Sequence, residues 1–166
     1  MRHAGFHSRA AWRLLLARFV PALAGLSLIW EMAQFPLYTL WDAGSAAEIA
    51  FAAIHCTAGD VLIGTGALML ALITTRAGPP ESWRFAPVAV VTVVLAMSYT
   101  VFSEWMNVVW RESWAYAPAM PTLPVLGTGA APFVQWLVVP AAALWLALPR
   151  GGRARQSGSA PSRPGG

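Results

Sequence analysis

Apolar residues along the chain gather into four long runs: Phe19 to about Tyr38, Ile49 to about Thr75, Phe85 to about Trp105, and Pro132 to about Leu148. Each reaches or approaches the ~20 residues that carry a helix across a ~30 Å hydrocarbon layer. The pattern predicts an all-α polytopic membrane protein, a four-transmembrane-helix bundle occupying 19–149. Pro21, Pro87 and Pro132 fall near the expected helix starts, where a missing N–H costs little. Pro140 lies mid-span and is expected to kink the fourth helix.

The flanking segments differ. Residues 1–18 form a basic amphipathic lead-in with Arg2, Arg9, Arg13 and Arg18. Ala22-Leu23-Ala24 resembles a signal-peptide cleavage site, but Arg18 interrupts the required apolar core and the run continues well past Ala24. An uncleaved first span is therefore expected. Residues 150–166 are rich in Gly, Ser, Pro and Arg, a composition that cannot bury a core, and are expected to be disordered.

Composition removes whole classes of function. Hydrophobic side chains make up 57% of the 166 residues and charged ones only 11%, against roughly 25% charged in soluble domains. Mean hydropathy is +0.56. A disordered chain, a nucleic-acid module and an ordinary water-soluble enzyme are all excluded. The net charge of +4 arises from arginines at the ends of apolar runs and in the tails, which fits membrane lipids with anionic headgroups as partners and not nucleic acid. Nine Trp suit the membrane–water interface. Cys56 is the only cysteine, so no intrachain disulfide can form.

Arginine placement also sets the expected orientation. The lead-in, the 76–84 connection and the tail hold ten of the eleven basic residues, and the 108–131 connection holds only Arg111. The positive-inside rule then places both termini and the 76–84 loop in the cytoplasm of a bacterial inner membrane. The 39–48 connection is short and acidic. The 108–131 connection is long, aromatic and Pro-rich, and it reads either as an anchor along the outer interface or as a lid over a site.

Within the runs sit four ionisable residues: Glu31, His55, Asp60 and Glu104. A charged side chain at the bilayer centre costs at least roughly 2.5–3.5 kcal/mol, so such groups are expected to face the bundle interior with partners. Ser27, Glu31, Gln34 and Tyr38 follow helical spacing along one face, as do Thr100, Glu104, Asn107 and Arg111. The two sets run in the same order, which raises the possibility of a duplicated helical hairpin. Ala52, Cys56, Asp60 and Gly64 form a row of mostly small residues that lets a neighbouring helix approach and shield Asp60. His55 is about 140° around the helix from Asp60, at ~100° per residue.

Two explanations compete for these groups. They can form an interhelical hydrogen-bond cluster that fixes the bundle, or they can build a site. Polar bonds in membranes average only about 0.6 kcal/mol, a small return for burying ionisable groups, and this favours a site. The candidates are Glu31 and Glu104 as acid/base groups with His55 as their partner. Gln34, Asp60, Asn107, Trp114, Tyr116 and Gln135 are the candidate contacts to a substrate. No His-x-x-x-His or Glu-x-x-His pair supports a metal centre, and the residues specify no cofactor. Three functions remain open: binding or conversion of a lipid- or isoprenoid-like molecule in an outward-facing pocket, proton or ion translocation through Asp60, and assembly of a membrane complex.

The stretches Trp30–Trp41 (WEMAQFPLYTLW), His55–Gly64 (HCTAGDVLIG) and Ser103–Pro121 (SEWMNVVWRESWAYAPAMP), followed by Pro132–Trp136 (PFVQW), resemble small four-span bacterial membrane proteins of no assigned activity. The resemblance covers about 30–150. It implies that Glu31, His55, Asp60, Glu104, Trp114 and Tyr116 belong to a family pattern, and it carries no reaction.

Overall fold

The computed structural model describes residues 8–148, and over this range the chain is helical with no strands. The four spanning helices are α1 (Arg9–Leu37), α2 (Ala46–Thr74), α3 (Phe85–Trp110) and α4 (Ala130–Ala147). Each packs against two neighbours, α1 on α2, α2 on α3, α3 on α4 and α4 back on α1. Large apolar side chains cover the outside: Ile29, Phe51 and Ile54 are each 69% exposed and Leu62 75%. Such a surface is a liability in water and normal in lipid. The protein is a multi-pass membrane protein.

The helices coincide with the four apolar runs, with boundaries displaced for identifiable reasons. α1 begins ten residues before Phe19, capped by the Ser8 hydroxyl, which accepts from the Ala11 N–H. Its early turns belong to the bundle, because Ala11, Leu14 and Leu15 are buried in the same core as Trp83. Pro21 consequently lies inside a helix and not at its start. Proline offers no N–H to the carbonyl four residues back, and the turn ahead of it, Leu15–Phe19, widens into a π-helix. α2 starts at a capping box: the Ser45 hydroxyl accepts from the Glu48 N–H, and the Glu48 carboxylate accepts from the Ser45 N–H at 2.8 Å. α3 runs five residues past Trp105 as a π-helical turn, Met106–Trp110. The 150–166 tail lies outside the described residues.

At the end of the bundle where α2 joins α3, the interior is dry. Phe19, Leu23 and Leu68 are fully buried together with Val88, Leu72 and Leu144. Trp83 closes this end, its indole N–H donating to the Gly78 carbonyl at 2.9 Å. A Cβ placed on Gly64 would stand 2.7 Å from Leu23 Cδ2, so any larger residue requires the buried Leu23 side chain to shift where α1 and α2 nest.

The opposite end is covered by the 111–129 connection, which folds back over α1. The Thr39 N–H donates to the Ala115 carbonyl at 3.0 Å and the Ala117 N–H to the Leu37 carbonyl at 2.9 Å, forming an antiparallel bridge between Tyr38 and Tyr116. The connection turns at Gly127 (φ 66°) and returns through a Thr122–Gly129 bridge to the start of α4. The loop is thus fastened by backbone bonds to the end of α1 and the segment that follows it.

Candidate functional site

Four buried polar side chains meet at mid-bundle. α1 supplies Glu31 and Gln34, one turn apart on the face of Ser27, and all three are buried. α2 supplies Asp60 and α4 supplies Gln135. Gln135 ties them together: its amide N–H group donates to Asp60 Oδ2 at 2.6 Å and to Glu31 Oε1 at 3.2 Å. The Gln34 amide donates to Glu31 Oε1 at 3.0 Å and reaches the Gln135 oxygen at 3.4 Å. The Trp30 indole N–H donates back to Gln34 Oε1 at 3.2 Å. Interlocking amides of this kind satisfy buried carboxylate oxygens where no water is at hand.

Glu104 on α3 belongs to a second, adjoining group. It accepts from the Tyr116 hydroxyl, whose oxygen in turn accepts from the Gly129 N–H at 2.9 Å. Tyr116 thus links the covering loop, α3 and the first residue ahead of α4. Gly129 is small by necessity, since a Cβ there would meet Met120 Sδ at 3.0 Å and the Tyr116 ring at 3.2 Å. Burial, reinforced by the neighbouring Glu104, holds the Tyr116 phenol above its ordinary pKa. The Tyr38 phenol is raised for the same reasons.

A cavity of about 340 Å³ joins the two groups, with Glu31, Gln34, Asp60, Glu104 and Gln135 on its walls. Its remaining lining is mostly apolar or aromatic, including Phe35, Tyr38, Ile63, Trp114 and Trp136. On the same wall the Thr100 hydroxyl is buried without a hydrogen-bond partner, and the Trp114 side chain stands beside Glu104. Among the described residues, no group of three or more His, Cys, Asp and Glu side chains has the arrangement to hold a metal ion.

The sequence-based candidates divide accordingly. Glu31, Gln34, Asp60, Glu104, Trp114 and Gln135 converge on the cavity. Tyr116 acts from behind it through Glu104. Asn107 lines the wall but turns its amide back to the Ser103 carbonyl at 2.8 Å. His55 is the correction. It reaches the cavity rim, but its ring is exposed and stacks on Phe51 (centroids 5.6 Å apart, 18° between planes) instead of bonding a carboxylate. The helical angle of about 140° from Asp60 turns it away from the interior. Thr100, Tyr38 and Arg111, which share the helical rows of the carboxylates but are not among the candidate contacts, also line the cavity.

The fold and cavity define a class, a four-helix polytopic membrane protein with a polar chamber beneath one end. No family model, curated protein or solved structure matches the chain.

Proposed function

We propose that the protein binds an amphipathic, lipid- or isoprenoid-like molecule in this cavity, its polar end held among the carboxylates and its chain against the apolar wall. The proposed setting is a bacterial inner membrane, with both termini cytoplasmic and the cavity in the outward half. One observation carries the reading. The amide donors of Gln34 and Gln135 are spent on one another and on Glu31 and Asp60, so the Glu31–Asp60 end of the chamber presents acceptor oxygens to a ligand. A headgroup with hydroxyl or amine donors suits them. In a conversion, Glu31 and Glu104 would be the acid/base groups, and Tyr116, not His55, the partner of Glu104.

Ion translocation has less support. Past Asp60 the interior closes over Leu23, Ala67, Leu68, Ala96 and Trp136, all 6% exposed or less. Among the described residues the polar groups there are threonines such as Thr65 and Thr92, the latter spent on the Val88 carbonyl at 2.7 Å, and these do not make a continuous polar path.

The test is an organic extract of the wild-type protein, purified from native membranes in mild detergent and compared with the Asp60→Asn/Glu104→Gln double variant. The expected result is one amphiphile enriched with wild type and depleted at least tenfold with the variant, both proteins being monodisperse. Identical extracts would overturn the proposal.

A further inference from the structure

The cavity is not closed equally on all sides. Its lining from α1 and α4 is buried throughout: Glu31, Gln34, Phe35, Pro132, Gln135 and Trp136. The exposed and half-exposed lining of the spans comes from α2 and α3. His55, Gly59 and Ile63 follow one another at i+4 along α2, and Tyr99 (52% exposed) and Ser103 face them from α3. A Cβ on Gly59 would meet nothing within 4 Å, so this ridge leaves a gap where a side chain would ordinarily stand. Above, the 111–129 cover is pinned by backbone bonds to Leu37 and Thr39 and by the Tyr116 hydroxyl.

The gap also lies deep. At ~1.5 Å per residue, Gly59 is ~20 Å from the Ala46 end of α2 and Tyr99 ~16 Å from the Trp110 end of α3. Both fall within the stretch that crosses hydrocarbon, beside the exposed Phe51 and Phe102.

Building on the binding role proposed above, we infer that the ligand is resident in the bilayer and enters sideways, through a slot between α2 and α3 bounded by Gly59 and Ser103. The headgroup passes Gly59 to reach Asp60, Glu31 and the unpaired Thr100 hydroxyl, and the chain remains in the slot, in contact with lipid. At the covered end the lining is Tyr38, Leu40, Arg111 and Trp114, beneath a pinned loop, so the side opening is the route that lies within hydrocarbon.

The experiment uses the full-length protein in phosphatidylethanolamine/phosphatidylglycerol vesicles containing a diazirine-tailed hexadecanol, with photolabelled peptides read by mass spectrometry. Wild type is expected to be labelled on cavity-lining segments of α2 and α3. Gly59→Trp should reduce that labelling at least tenfold. Gly66→Trp, on the same helix at an exposed position with open space around it, should leave it unchanged. If Gly59→Trp does not yield a monodisperse protein, Ser103→Trp plugs the slot from the facing helix. Labelled wild type with equally labelled plugged variants would overturn the sideways route and leave the binding role standing. An unlabelled wild-type cavity would overturn both.

Discussion

The two ends of the bundle are built on opposite rules. Around Trp83, buried Leu, Ala, Val and Phe side chains from the helices pack into one apolar cluster. Under the 111–129 cover, the same four helices present carboxylates, amides and hydroxyls to a cavity. Lipid is as apolar as leucine, so helices gain from burial only through close packing and polar bonds. The dry end uses the first and the polar end uses the second. The contrast teaches that apolar packing and buried polar bonding occupy different halves of a very small protein, so damage to one need not reach the other.

The largest expected effect falls in the dry half. Phe19→Ala or Leu68→Ala removes a fully buried side chain and should cost about 3–5 kcal/mol for Phe and 2–5 for Leu. Unfolding in mixed micelles measures it, and ligand retention by the folded fraction should persist. Gly64→Val should follow at about 1–3 kcal/mol, because its side chain has to displace Leu23. A neutral result would show that α1 and α2 can separate freely at that level.

Gln135→Leu sharpens the comparison from the other side. It strands Glu31 and Asp60 without their shared donor, at about 1–3 kcal/mol, and should abolish ligand retention, unlike the dry-half variants. Tyr116→Phe, which frees Glu104 and the Gly129 N–H, should cost about 1–2 kcal/mol and show as faster amide exchange at Gly129. The same phenol predicts a pH dependence. Its folded pKa is raised, so the protonated form favours folding; the contribution is complete below the ordinary value of 10.0 and is lost as pH rises above it. Thermal unfolding between pH 8 and 11 should show wild type weakening above 10 and Tyr116→Phe weakening less. His55→Ala, at an exposed position, should change stability by no more than about 0.5 kcal/mol.

Much of this was legible from spacing alone. Periodic apolar runs located all four spans, and the two polar rows mark buried faces as far as Gln34 and Glu104, whereas their outer members Tyr38 and Asn107 are half-buried and Arg111 is exposed. Those predictions worked because burying a polar group in hydrocarbon is costly enough to dictate rotation. Boundaries were less legible, since capping by Ser8 and Ser45 extends helices into polar sequence. His55 misled because its proximity in sequence to Asp60 says nothing about direction; the five-residue offset turns the ring outward. The Gln135 bridge could be suspected but not assigned, because a partner 104 residues from Glu31 leaves no local trace.

The Tyr116 oxygen is a mechanical junction. It accepts from the amide just ahead of α4 and donates to the acid on α3. Losing that single oxygen would uncouple three segments of the chain at once: the loop, the third helix and the start of the fourth.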